Sequence, residues 1–303
     1  MRRAYLIAGS HGMLGTALQR VIAERGERFA APAEGEFDIT DTAAVTRAVF
    51  AFTGGLASDE QPVLLNAAAY TNVERAEDDA EMAFRVNEEG ARKLAVMARQ
   101  AGLRFVHVST DFVFDGHKQG AYTEEDPVNP LSVYGASKLA GERAVAWENP
   151  DSLVVRTAWV FGPNGANFPG KILTVARERG ELTVVEDEVG SPTYTVDLAR
   201  GILGLLDADA EPGLYHLAGS GSCSRFELAA EVLRLAGLAE VSLRPVPSSA
   251  FPSKAERPQN SVLDCSRAAS LGVVMPPWQD ALERHLADMG ELSSAERPGG
   301  LAV

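Results

Sequence analysis

The sequence predicts an α/β fold, a doubly wound parallel sheet with a smaller C-terminal lobe, on three observations. Apolar runs of strand length alternate with helical patterns along most of the chain, the order that builds a sheet with right-handed crossovers. The runs "VLLNAAA", "FVHVST" and "LVVRTAWVF" are apolar on both faces, as strands covered by helices on either side are. From about residue 162 the pattern loosens into Gly-, Pro- and Asn-rich segments such as "GPNGANFPGKIL", "EDEVGSPTYT" and "RPVPSSAFPSKAERPQN", the loops of a second lobe.

The elements follow in order. Strands are expected over residues 3–9, 29–31, 62–69, 105–110, 153–161 and 214–218. The first follows two arginines, but its apolar run is too short for a secretory core and leads straight into Gly-Ser-His-Gly, so it reads as a strand. A helix over 80–102 ends on Gly102, a C-terminal cap, and one over 132–149 begins just after Pro130 and stops at Pro150. A helix from Thr195 and the strand at Leu214 return to the main sheet. The division is therefore residues 1–161 as a nucleotide-binding domain, with elements near 195–219 returning to it, and 162–303 as a discontinuous substrate-binding lobe. That lobe lies over the sheet's C-terminal edge, where ligands bind in such folds. The tail "SSAERPGGLAV" has little to bury and is expected to be mobile.

"GSHGMLG" places Gly9, Gly12 and Gly15 between the first strand and a helix. The first glycine permits a tight turn, the second lets backbone approach a pyrophosphate, and the third lets the helix sit close to the strand. Free N–H groups at the helix start hold the anion. The spacing differs by one from G-x-G-x-x-G, and a plain structural turn competes with a Rossmann-type dinucleotide site. The second strand is followed by "APAEGEFDITD", with no acid immediately at its end; Glu34 and Glu36 come later. NADPH is thus favoured slightly over NADH, with Arg28 a candidate for the extra phosphate. Asp38 and Ile39 sit where they can cover the adenine edge, a surface aspartate being the alternative.

"NAAAYT" leaves room for a flat cofactor against the strand end, and "VSTDFVF" brings Ser109, Thr110 and Asp111 to the same sheet edge. Tyr134 and Lys138, in "YGASK", share one helix face at i and i+4. An ammonium beside a phenol favours phenolate and lowers its pKa from near 10. Lys138 is therefore expected to activate Tyr134 while donating to a nicotinamide ribose. Tyr134 would protonate a carbonyl oxygen, with Thr110 donating a second hydrogen bond to it.

The formal charge of −14 argues against nucleic acid or an anionic membrane as partner, since no basic tract overcomes that field. No stretch approaches a membrane span. Cys223 and Cys265 are far apart, without metal-ligand spacing, and fit a reduced cytoplasmic protein. The five His form no metal pattern.

Together these blocks identify a resemblance. "GSHGMLG", "DITD", "NAAAYTNVERAE", "STDFVFDG", "NPLSVYGASKLAGE", "RTAWVFG", "GSPTYTVDLA" and "RPQNS" occur in this order over nearly the whole chain. The chain resembles the extended short-chain dehydrogenase/reductases, and within them the dTDP-4-dehydrorhamnose reductases. The resemblance implies reduction of the C4 ketone of dTDP-4-dehydro-6-deoxy-L-mannose to dTDP-L-rhamnose by hydride from NAD(P)H. It implies Thr110, Tyr134 and Lys138 as the catalytic triad. It places Gly12, Met13, Leu14, Asp38, Ile39, Ala68, Ala69 and Tyr70 around the cofactor, with Asp111 and Trp159 against the sugar nucleotide. Asn87 matches an asparagine that supports the active-site backbone. Asn167 and Arg257, in the lobe's loops, are expected to grip the diphosphate. Some relatives carry a glutamate two residues beyond the glycine loop, in a magnesium-linked dimer contact; here that position is Ala17, so no metal is expected and a homodimer is left open. The rivals are another sugar-nucleotide reductase or epimerase, and a noncatalytic NADP-binding subunit resembling the regulatory subunit of methionine adenosyltransferase. A 4,6-dehydratase would place Glu after Asp111, where this chain has Phe112.

Overall fold

Six strands form one sheet: β1 (Arg2–Ala8), β2 (Arg28–Ala30), β3 (Glu60–Asn66), β4 (Arg104–Thr110), β5 (Leu153–Thr157) and β6 (Gly213–His216). They lie in the order β6-β5-β4-β3-β1-β2, and every neighbouring pair is parallel. The computed structural model describes residues 2–293; apart from Ser293, the tail expected to be mobile lies outside the described residues. The longer helices are α1 (Met13–Glu24), α2 (Thr42–Thr53), α3 (Ala91–Ala101), α4 (Val133–Glu148), α5 (Phe168–Arg179), α6 (Thr195–Asp207), α7 (Arg225–Leu235) and α8 (Trp278–Asp288).

The strands are apolar on both faces because both are covered. Along β1, Tyr5 and Ile7 enter a core shared with α1 and α6, while Ala4, Leu6 and Ala8 enter a second core with α2 and α3. Alternation of side chains across the pleat does this sorting. Chain order reverses between β1 and β3, so their C-terminal ends open a crevice there.

Local chemistry sets the helix ends. The Ser132 hydroxyl accepts from Gly135 N at 3.2 Å and starts α4. Gly102, at φ 69°, closes α3 in the left-handed region. Three expectations change. The helix expected over 80–102 is broken: Ala80–Phe84 is α-helical, Arg85–Gly90 is a π-helical turn, and α3 resumes at Ala91. The strand expected over 62–69 stops at Asn66, because the Asn66 amide oxygen accepts from Ala68 N and turns the chain. "LVVRTAWVF" is not one strand. β5 ends at Thr157, Trp159 takes φ 44°, and Val160–Phe161 pairs instead with Thr193–Tyr194.

Outside the six-stranded sheet, Glu181–Val185 pairs in parallel with Ser242–Val246. Val189–Gly190 pairs antiparallel with Cys223–Ser224, which leads directly into α7.

Candidate active site

The glycine loop is a backbone cradle. Gly9 has φ +73°, and a Cβ there would lie 2.5 Å from Ala68 N; one on Gly15 would lie 2.1 Å from Gly9 O. Loop, helix start and the Ala67–Ala69 segment are thus in direct backbone contact. Gly12 precedes α1 with no side-chain cap, so the first N–H groups of the helix face the crevice with the dipole's positive end. A dinucleotide's pyrophosphate suits this donor set. The crevice, about 690 Å³, runs from Gly9, Gly12, Met13 and Leu14 past Asp38, Ile39, Ala68 and Ala69 to Thr110, Tyr134 and Lys138. That is room for a bound small molecule of nucleotide size.

Two expectations on the cofactor side need correction. Arg28 does not reach the crevice. It starts β2, at the opposite end from the ligand edge, and donates to Gly55 O at 2.6 Å and Glu60 Oε2 at 2.9 Å. Tyr70 does not line the crevice; it is held through its backbone, whose N–H and C=O bond the Asn87 amide at 2.8 and 3.1 Å. Asn87 also donates to Ser137 Oγ at 2.9 Å, tying the loop after β3 to α4. Of the two glutamates in the loop after β2, Glu34 lines the crevice while Glu36 turns back to Ala33 N.

At the catalytic end, Thr110 closes β4. Its hydroxyl donates to Asp111 Oδ1 at 2.9 Å and accepts from Phe112 N at 3.2 Å. Tyr134 stands edge-on to Phe112, with ring centroids 5.5 Å apart. The Lys138 ammonium donates to Val108 O at 2.6 Å. The electrostatics differ from expectation. Burial, with the Asp111 charge adding to it, pushes the Tyr134 phenol up to about 12, against an opposing effect of the Thr110 hydroxyl. The groups that act on the phenol do not include Lys138, whose own amine burial pulls down to about 8. The phenol is thereby kept protonated at neutral pH, as a proton donor must be.

Asp111 is 2% exposed and its Oδ1 accepts from the Thr110 hydroxyl. Burial raises its carboxyl to about 6, with the Ser261 and Thr110 hydroxyls and the Arg225 charge pulling the other way. Trp159 lines the crevice through the same positive φ that breaks its strand. Over its indole, 3.4 Å from the ring centroid, lies the Arg225 guanidinium, which also reaches Glu188 Oε2 at 3.5 Å.

Arg225 went unnoticed in the sequence. One signal was there: it is the first residue of α7, behind a Ser224–Glu227 capping box, and a cation at a helix N-terminus opposes the dipole. Asn167 lines the crevice but its amide is engaged. It caps α5 by accepting from Gly170 N and donates to Gly162 O and Gly165 O, which leaves no donor to grip a diphosphate. Arg257 faces the crevice while paired with Glu74 at 2.5 Å. Among the described residues no helix is long and apolar enough to cross a membrane.

Comparison with known proteins bears on the family and the fold. The family profile described as RmlD substrate binding domain matches residues 3–291. The dTDP-4-dehydrorhamnose reductase of Mycolicibacterium smegmatis is 38% identical over 290 residues, covering 95% of this chain and 86% of that protein. The crystal structure of a dTDP-4-dehydrorhamnose reductase from Clostridium acetobutylicum superposes with a TM-score of 0.88 at 35% identity, covering 95% of this chain and 99% of that one. The dTDP-4-dehydrorhamnose reductase of Bacillus anthracis, solved in complex with NADP, also superposes with a TM-score of 0.88, at 33% identity, covering 95% and 100%.

Proposed function

The chain belongs to the RmlD substrate binding domain family, and from that premise we propose that it reduces the C4 ketone of dTDP-4-dehydrorhamnose to dTDP-L-rhamnose. NADPH, when bound, supplies the hydride. The observation that carries the reading is the meeting of Thr110, Tyr134 and Lys138 in the crevice that begins at the glycine loop.

Gly9, Gly12, Met13 and Leu14 hold the pyrophosphate on the start of α1, Asp38 and Ile39 cover the adenine side, and Ala68 and Ala69 leave space for the rest. Lys138 donates to the ribose. Tyr134 gives its proton to the ketone oxygen as hydride reaches the carbon, and Thr110 turns its hydroxyl from Asp111 to the same oxygen. Asp111, Trp159 and Arg225 orient the sugar nucleotide, and Arg257 exchanges Glu74 for the diphosphate. Residues 162–303 supply most of this substrate side, and the reaction runs in the cytoplasm. With Arg28 engaged elsewhere and Glu34 at the crevice, the preference for NADPH over NADH is slight.

The test is NADPH oxidation with dTDP-4-dehydro-6-deoxy-L-mannose, scored beside NADH and beside dTDP-glucose with NAD. The ketosugar is expected to be reduced, and dTDP-glucose to yield no 4-dehydro-6-deoxy product, because Phe112 stands where a dehydratase needs a second acid. A dehydrated sugar in the mass spectrum would replace this assignment with a dehydratase. Cofactor binding without turnover would favour the noncatalytic subunit.

Asp111 carries a separable expectation. A carboxyl at about 6 in the folded protein against an ordinary 3.8 costs roughly 2–3 kcal/mol at pH 7, at 1.36 kcal/mol per unit. Well below 3.8 it is protonated in both states and costs nothing; the cost is small at pH 4 and grows as pH rises toward 6. Asp111→Asn is therefore expected to raise Tm at pH 7 by roughly 5 °C, to lose most of that advantage near pH 4, and to raise KM more than it lowers kcat. Thermal melts at the two pH values, with steady-state kinetics, check this. A destabilised variant at pH 7 would remove the strain argument.

A further inference from the structure

Glu142 follows Lys138 by four residues, as Lys138 follows Tyr134, so all three share one face of α4. Glu142 is 7% exposed and its carboxylate is fully engaged. Oε1 accepts from Ser109 Oγ at 2.5 Å and from Arg156 Nε at 2.8 Å, while Oε2 accepts from Arg156 Nη2 at 2.7 Å. Ser109 directly precedes Thr110 on β4. Arg156 stands on β5, 3% exposed, with its guanidinium 5.0 Å over the Phe114 ring. One carboxylate thus ties the helix that carries Tyr134 and Lys138 to the strand that ends in Thr110 and to that strand's neighbour.

Stability alone does not call for this arrangement, because a buried ion pair is often matched or bettered by well-packed apolar residues. We propose that Glu142 is a positioning residue for the reduction, a buried anion that holds α4 against β4 and keeps the Lys138 ammonium charged for the cofactor's ribose. This rests on the reading of Lys138 given above.

The surroundings of Lys138 leave that task to Glu142. Burial pulls the lysine down and Glu142 pulls it back up. From β4, Val108 offers an uncharged carbonyl, and His107 is held well below its ordinary value, by burial first and Lys138 second, so it is neutral. From β5, Arg156 is paired with Glu142 and its charge bears on His216. Within α4 the Tyr134 phenol stays protonated, and the neighbouring Asp111 charge acts on that phenol. The π-helical turn presents Asn87, which is uncharged, to Ser137.

A lysine lowered to about 8 is charged below that pH and loses its proton above it. NADPH binding by the full-length protein, followed by fluorescence from pH 6 to 10, is therefore expected to weaken along a limb near pH 8. Glu142→Gln is expected to move that limb down by about one unit, and the same limb in kcat/KM to move with it. Glu142→Gln alone leaves Arg156 buried without its anion, so the pair Glu142→Gln with Arg156→Gln, two amides in place of two charges, is measured beside it. Because the Arg156 cation offsets part of the Glu142 field, the double variant is expected to show a displacement in the same direction and of smaller size. Melting curves at each pH confirm that folded protein is read. A limb that stays at the wild-type pH in the folded variants, with only Tm or kcat lowered at every pH, overturns the proposal and leaves Glu142 a structural anchor. A wild type with no limb overturns it together with the reading of Lys138.

Discussion

Tyr134→Phe is expected to bind NADPH with close to wild-type affinity and to turn over ~10² to 10⁴ times more slowly, the range a positioned general acid supplies. The substitution removes a hydroxyl and keeps the ring. The edge-on contact with Phe112 at 5.5 Å and the packing of α4 are therefore preserved, and the loss is chemical. The phenol is protonated throughout the working range, since burial holds it up to about 12, so the wild type delivers a proton without needing a particular pH. Rapid-mixing measurement of hydride transfer, with NADPH binding scored separately, reads the effect. A variant that keeps more than about a tenth of wild-type kcat would show that another group, Asp111 or a water, supplies the proton.

Gly15→Ala is expected to cost NADPH affinity ~10- to 100-fold, from about 1–3 kcal/mol of overpacking. Two effects oppose each other. Alanine is the better helix former, by about 1 kcal/mol. Its methyl, however, would stand 2.1 Å from Gly9 O and 2.7 Å from Ser10 Cα. Those are backbone atoms that no rotamer change can move, so α1 and the loop must part. The parting falls on the donors that face the pyrophosphate, and the strain wins. Gly35→Ala is the control, in the loop after β2 with nothing within 4 Å of the new methyl. Fluorescence titration with NADPH and a melting curve for each variant check the pair. Equal affinities in the two would mean that the close approach at Gly15 does not shape the site.

Much of the site was legible because its parts are close in sequence. Tyr134 and Lys138 are one helical turn apart, and the glycine loop is seven consecutive residues between a strand and a helix. Such spacings follow from helix pitch and turn geometry alone. Thr110 and Asp111 were legible because β4 is an apolar run with a clear end, and strand ends gather at one edge of a parallel sheet. Arg28 failed on the same logic. It lies beside the second strand, but at the strand's start, and a strand's two ends face opposite sides of the sheet.

What the sequence determined by itself, then, is the order and type of the elements and the edge at which the chemistry collects. Periodicity and caps are local, and α4 from Ser132 to Asn149 could be drawn from them directly. Only the tertiary structure decided how charges and amides are spent. Asn167 caps a helix, Arg257 is paired with Glu74, Arg225 lies on Trp159, and Glu142 joins two strands to the catalytic helix. It also decided that burial, and not the neighbouring ammonium, sets the Tyr134 phenol. The cost of desolvating a charge depends on everything packed around it, and the groups that surround Tyr134 and Glu142 come from segments dozens of residues apart. No window of sequence contains that sum.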